Sequence, residues 1–157
     1  MVTVPAVCAA AGQAFAGTSG GMTDSQKKPT ALIVENDDHV MSLLTFMLSR
    51  ELYDVVECRD GREAYAYIRE HSPVDIIVLE LVLPYKDGYE LIREVRNSET
   101  WHDVPIIVLS ARRLEGDIVR GLDAGANDYV TKPYSPRELV ARIRRHSRSP
   151  DIEASEA

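Results

Sequence analysis

Residues 74–90, "VDIIVLELVLPYKDGYE", decide how the chain is read. Ile76 to Leu79 form an unbroken apolar run that ends in a single carboxylate, Glu80. Apolar residues resume at 81–83, and Pro84 with Lys86, Asp87 and Gly88 supplies turn chemistry. A run that does not alternate apolar with polar residues suits a strand buried on both faces, as in the centre of a parallel sheet. A lone acid at the end of such a strand is costly unless a neighbour favours its charge. What Glu80 faces is therefore the functional question this stretch sets.

Similar short runs occur on either side, at 31–34, 53–56, 106–109 and 129–131. Amphipathic segments separate them. Val40, Leu43, Leu44, Met47 and Leu48 recur at helical spacing, with Asp38 as the expected cap. Ala64, Tyr65 and Ile68 mark a second helix; Leu91, Ile92 and Val95 mark a third after Gly88. Ile118, Val119 and Leu122 mark a fourth, ended by Gly125. Leu139, Val140 and Ile143 mark the last, begun at Ser135 with Pro136 in its first position. Five strand–helix repeats predict an α/β fold, a (βα)5 doubly wound five-stranded parallel sheet covered on both faces. Residues 30–147 carry this pattern.

The flanks differ. Residues 1–29 are rich in Ala, Gly, Ser and Thr, with no Lys or Arg before Lys27, and are expected to be a disordered tail. Met22 offers a second possible start, and residues 148–157 form an acidic tail. The 157 residues suffice for one domain, and 45% hydrophobic content suffices for its core. A net charge of -7 argues against a free-standing nucleic-acid binder, and no apolar run is long enough to span a bilayer. Cys8 and Cys58 lack metal-ligand spacing and read as two reduced thiols of a cytoplasmic protein.

In a parallel sheet, ligand chemistry gathers beyond the carboxyl ends of the strands. The first strand leads into Glu35-Asn36-Asp37-Asp38, the third into Glu80, the fourth into Ser110, and the fifth into Lys132-Pro133. Carboxylates, a hydroxyl and an ammonium together suit Mg²⁺ and a phosphoryl group. With "LVLPYKDGYEL", "VLSAR", "GANDYVTKP" and "YSPRELVARIRR" in this order, residues 31–145 resemble a response-regulator receiver domain of two-component signalling. The last two motifs are most similar to the OmpR/PhoB class. The resemblance implies a flavodoxin/receiver-like fold. It places Glu35 and Asn36 at the Mg²⁺-holding acidic positions, Glu80 at the phosphoacceptor aspartate and Ser110 at the Ser/Thr switch. It places Tyr129 at the switch aromatic, Lys132 at the phosphate-contacting lysine, and Pro133 after a cis peptide bond.

Two departures fall on the chemistry: glutamate replaces the acceptor aspartate, and asparagine replaces a metal-holding acid. One extra methylene misplaces an in-line acceptor, and Asn36 removes a charge that Mg²⁺ favours. The expectation is an atypical single-domain receiver that signals by protein contact without aspartyl phosphorylation and without enzymatic turnover. It has no resident metal, or a weak Mg²⁺ at Glu35 and Glu80. Two readings of Glu80 stay open: its carboxylate meets Ser110 and Lys132 as a partial imitation of a phosphoryl group, or it is an inert ion pair of Lys132. Asp37 is a candidate to restore the lost metal charge, beside the plainer role of one of Asp37 and Asp38 as a helix cap.

By the resemblance, the fourth helix, fifth strand and fifth helix form the output face. Asp123 and Asp128 with Arg142 and Arg144 match acid–base positions that pair across a symmetric dimer, implying a conditional homodimer and a protein partner at that face. Asp75 and Asp87 are expected away from the pocket, His39 on a helix surface and Trp101 in the core. Arg142, Arg144, Arg145, His146 and Arg148 are expected to form a solvated helix face. Two alternatives remain. One is a receiver that still accepts phosphate from a histidine kinase. The other is a phosphatase of the haloacid dehalogenase type, which "ENDD" in place of a nucleophilic DxD makes the weaker.

Overall fold

A computed structural model describes residues 27–148. Strands and helices alternate along them: β1 (Thr30–Val34), α1 (Asp38–Arg50), β2 (Asp54–Cys58), α2 (Gly61–Glu70), β3 (Ile76–Leu79), α3 (Gly88–Asn97), β4 (Ile106–Ser110), α4 (Glu115–Ala124), β5 (Asp128–Thr131) and α5 (Pro136–His146). Every pairing is parallel and the order is β2-β1-β3-β4-β5, the expected (βα)5 sheet. Strand order reverses between β1 and β3, so the crevice beyond their carboxyl ends is the switch point where ligands gather.

The apolar strands are buried on both faces because each face carries its own core. Leu32, Val34, Ile77, Leu79, Ile106 and Val108 point to one side, against Ala64 and Ile68 of α2 and Leu91, Ile92 and Val95 of α3. Ala31, Ile33, Ile76, Val78, Ile107 and Leu109 point to the other, against Met41, Leu44 and Leu48 of α1 and Leu139 and Ile143 of α5. Burying one such side chain is worth about 1.5–3 kcal/mol, so the two layers fix the register of the sheet and its loops. Trp101 is fully buried as expected, its indole donating to the His71 carbonyl at 3.1 Å.

Three elements depart from the sequence reading. Asp37, not Asp38, caps α1: its backbone is extended and its carboxylate accepts from the amides of His39 and Val40, while Asp38 enters the helix as its first residue. The buried line of α1 runs through Met41, Leu44 and Leu48, and Leu43 is 47% exposed. On α4 only Gly121 is buried, and Val119 and Leu122 face outward. β2 begins one residue late because the exit from α1 uses Leu52 at φ 65 and bonds the Tyr53 amide back to Leu48. Gly125, at φ 122, ends α4, and Ser135 caps α5 with Pro136 following, as expected.

Cys58 is fully buried at the end of β2. Cys8, Met22 and the tails at 1–29 and 148–157, apart from residues 27–29 and 148, lie outside the described residues. Among the described residues no helix is long and apolar enough to cross a membrane.

Candidate functional site

The sheet hydrogen bonding runs one residue past β1, β3 and β5. The amide of Glu35 bonds the Cys58 carbonyl at 3.0 Å, that of Glu80 bonds Val34 at 2.9 Å, and that of Lys132 bonds Ser110 at 2.8 Å. The backbone of these residues is thereby held at the edge of the switch-point crevice. Gly88 fixes the exit of β3, because a Cβ there would stand 2.6 Å from Leu81 Cα and 2.8 Å from the Glu80 carbonyl oxygen. Only glycine lets the first turn of α3 pack this closely against the chain at Glu80.

Glu80 and Glu35 are both buried, and Lys132 Nζ lies between them, 2.9 Å from Glu80 Oε2 and 2.8 Å from Glu35 Oε2. Glu80 Oε1 accepts from the amides of Leu81 at 2.7 Å and Val82 at 3.1 Å, and from the Ser110 hydroxyl at 2.7 Å. Both oxygens of this carboxylate are therefore committed. Glu35 Oε1 accepts from the Asp37 amide at 3.1 Å. A buried carboxylate is tolerated where charge and hydrogen bonds compensate its desolvation, and here Lys132, Ser110 and two amides do so. Burial pulls the Lys132 ammonium down, but the hydrogen bonds and charges of Glu35 and Glu80 outweigh it and hold the group above the ordinary lysine value.

From Ser110 the contacts continue into the loop between β4 and α4. The Arg112 amide donates to Ser110 Oγ at 3.3 Å, and the Tyr129 hydroxyl donates to the Arg112 carbonyl at 2.8 Å. Arg113 Nε donates to the Lys132 carbonyl at 3.0 Å. A connected path thus links the Glu80 carboxylate to the start of α4. Sequence reasoning singled out Ser110, Tyr129 and Lys132 but missed Arg112, which acts through its backbone amide and carbonyl, and Arg113, whose side chain meets a backbone carbonyl; neither contact carries a residue-type signal.

The remaining candidates scatter. Asn36 is exposed, and Asp37 Oδ1 is taken by two helix amides. The Lys132–Pro133 bond is cis. Asp128 bonds Arg142 within the chain at 3.0 and 3.1 Å, with His146 3.3 Å away, and Arg144 pairs with Glu51. Two of the four residues expected to pair across a dimer therefore pair with each other, and Arg144 pairs with Glu51, outside that set; Asp123 is exposed on α4. Asp75 accepts from the Thr30 amide at 2.7 Å, at the opposite end of the sheet from the crevice, and Asp87 caps α3. His39 is exposed, as expected.

The residues present fit a tightly held Mg²⁺ poorly. Lys132 occupies the space between the two buried acids, Asn36 brings no charge, and Asp37 commits Oδ1 to capping its helix. Among the described residues no cluster of three or more His, Cys, Asp or Glu is arranged to hold a metal.

The response regulator receiver domain family matches residues 31–144. The chain belongs to that family. Response regulator GtcR of Aneurinibacillus migulanus is 40% identical over 114 residues, which cover 73% of this chain and 46% of that protein. The chain thus spans about half the length of this relative. The receiver domain of the sensor histidine kinase PA1611 from Pseudomonas aeruginosa, solved with magnesium coordinated in its active-site cleft, is 34% identical with a TM-score of 0.70. That alignment covers 76% of this chain and 98% of PA1611's domain. The receiver domain of Francisella response regulator 1452 is 30% identical with a TM-score of 0.69, covering 74% and 94%. This chain is accordingly a receiver domain of a two-component response regulator, with Glu80 where the family resemblance expects the acceptor aspartate.

Proposed function

We propose that this receiver is a pseudo-receiver of OmpR/PhoB-like type, which signals through protein contacts without phosphorylation of its acceptor position. One observation carries the reading: both Glu80 oxygens are already engaged by Ser110, Lys132 and the amides of Leu81 and Val82. By the family resemblance, Ser110 and Lys132 are the groups that would take hold of a phosphoryl group, and here they hold a carboxylate. Phosphoryl transfer to Glu80 would require breaking these bonds and desolvating an incoming phosphoryl group beside Glu35. Glu80 imitates the phosphorylated arrangement with one charge where a phosphoryl group brings about 1.5 to 2. The tie from Ser110 through Arg112 to Tyr129 favours this reading over an inert Lys132 ion pair, because an inert filler needs no connection to the loop before α4.

On this reading Mg²⁺ binding at Glu35 and Glu80 is weak, since the metal must displace Lys132. A histidine kinase is not needed to set the state of the pocket. The output face is α4, β5 and α5, where Leu114 and Leu122 are exposed. A protein partner, or a conditional homodimer that breaks the internal Asp128–Arg142 pair, takes that face in a cytoplasmic pathway of transcription regulation.

Intact mass after incubation with acetyl phosphate and Mg²⁺ tests the reading. Wild type and Glu80→Asp are expected to stay at the unmodified mass, and Glu80→Asp with Asn36→Asp to gain one phosphoryl group. A phosphoryl gain in wild type would overturn the proposal in favour of a working phosphorelay receiver.

A further inference from the structure

We infer that α4 is a lever pinned at its C-terminal end by Arg96, a positioning residue on α3, and that it undocks from its N-terminal end. The two ends of this helix are held very differently. At the C-terminal end, Arg96 donates twice to the Gly125 carbonyl, from Nε at 2.9 Å and Nη2 at 2.7 Å. The same guanidinium bonds the carbonyls of His102 at 2.9 Å and Val104 at 2.7 Å, and Asn127 Oδ1 at 2.8 Å. Asn127 is in turn locked to β4, accepting from the Ile106 amide at 2.9 Å and donating its own amide to the Ile106 carbonyl at 2.8 Å. One planar group thus ties the end of α3, the loop before β4, the cap of α4 and the start of β5. Burial pulls the Arg96 guanidinium below its ordinary value, so its carbonyl partners compensate a real desolvation cost.

The N-terminal end has no comparable hold. Its cap position is Leu114, which makes no side-chain cap bond and is 75% exposed. The side chains that reach this half do so loosely: Tyr89 Oη stands 3.4 Å from the Asp117 carbonyl, and Arg112 stands 3.8 Å from Asp117. Arg120 lies over the ring of the buried Tyr89 at 3.9 Å, beside an open groove between α3 and α4. Gly121, the one buried residue of α4, rests on the Tyr129 ring, where an added Cβ would meet ring carbons at 3.1 Å. Segments with few buried apolar contacts open locally at low free energy. The opening therefore starts at Leu114 and stops at the Arg96 knot, with Gly121 on Tyr129 as the fulcrum. The free end is also the end that the Ser110–Arg112 path reaches, but the lever rests on α4 alone and not on whether Glu80 accepts phosphate.

Amide hydrogen exchange of the 157-residue chain, read residue by residue, tests this. Amides of Ile118, Val119 and Arg120 are expected to exchange at least about tenfold faster than those of Gly125, Ala126 and Asn127. Arg96→Gln is expected to remove that difference by accelerating 125–127 at least about tenfold, while amides of β1 and β3 keep wild-type rates. Gly125→Ala is the second variant, because its Cβ would stand 2.8 Å from Arg96 Cγ at a φ of 122 and push the guanidinium off the carbonyl. It is expected to accelerate the same three amides. Uniform protection along wild-type α4 would overturn the lever. So would variants that leave 125–127 unchanged, or that speed exchange equally in every element, which is the mark of a merely global destabilisation.

Discussion

Replacing Lys132 with methionine keeps most of the side chain's volume and removes its charge. The Glu35 and Glu80 side chains are 3% and 7% exposed, and Lys132 is 20% exposed. At an effective dielectric of about 20, each contact near 3 Å is worth about 6 kcal/mol before desolvation is counted. Most of that gain offsets the transfer of three charges out of water. Removing the cation leaves two uncompensated buried carboxylates, and losing one partner of a buried pair costs about 3–5 kcal/mol. Urea unfolding at neutral pH is therefore expected to show a midpoint lowered by about 2 M or more for an m-value near 1.5 kcal/mol per molar. Adding Glu80→Gln to Lys132→Met returns the pocket to the net charge it has in wild type, and retains an acceptor for Leu81, Val82 and Ser110. The double variant is expected to recover at least about 1 kcal/mol relative to Lys132→Met alone, a coupling of the kind seen between contacting groups. A loss below about 1 kcal/mol for Lys132→Met would refute the reasoning, because a pair so cheaply broken is not a buried one. A double variant no more stable than the single would refute it as well.

Lys132 also sets an alkaline dependence. Its folded-state value is raised, so its contribution is fully present at neutral pH and is lost as pH rises through that raised value, above the ordinary 10.5. Wild type is expected to lose stability across that window more steeply than Lys132→Met, measured by urea midpoints at stepped pH; parallel curves would count against the pair. Gly88→Ala places a methyl against Leu81 Cα and the Glu80 carbonyl, both backbone atoms that yield poorly. It is expected to cost about 1–3 kcal/mol by the same unfolding assay, and a neutral result would show that the β3–α3 turn moves freely.

The sheet was legible because its signal is coarse and redundant. Runs such as 76–79 and 106–109 are apolar without alternation, and nothing but burial on both faces accommodates them. Glu35, Glu80, Ser110 and Lys132 were legible as a set because strand ends of a parallel sheet converge, so order along the chain predicts proximity. The α1 and α4 stripes were less legible. Leu43 fits helical spacing as well as its buried neighbour Leu44 does, and Val119 and Leu122 fit it although only Gly121 of α4 is buried; the direction from which the sheet approaches decides these cases. Arg96 was invisible for a different reason: three of its four partners are backbone carbonyls, and an arginine in the last turn of an amphipathic helix reads as an ordinary solvated cation.

The same geometry answers why glutamate differs from aspartate at this site. Aspartate is shorter by one methylene, roughly one carbon–carbon bond of about 1.5 Å, and its carboxylate would withdraw toward β3. It would leave a gap before Ser110 and Lys132, the space that a phosphoryl group needs. On the proposed reading, glutamate closes that gap with its own oxygens, and occupancy by Glu80 then competes with access by phosphate. The size of any resulting bias has a ceiling. Only interactions made better in one arrangement than in the other shift the balance between them. The backbone amides of Leu81 and Val82 belong to the strand exit, next to Glu80 in the chain, and do not reach into the loop before α4. What distinguishes the arrangements is the charge-assisted bond to Ser110, which draws in the Arg112 amide and, through its carbonyl, Tyr129. Such a bond is worth about 1.5–3 kcal/mol, or roughly a 10- to 150-fold shift. If the proposed reading holds, a partner that prefers this arrangement needs no phosphate to find it populated, and Glu80→Asp is expected both to weaken that preference and to open the space that phosphate requires.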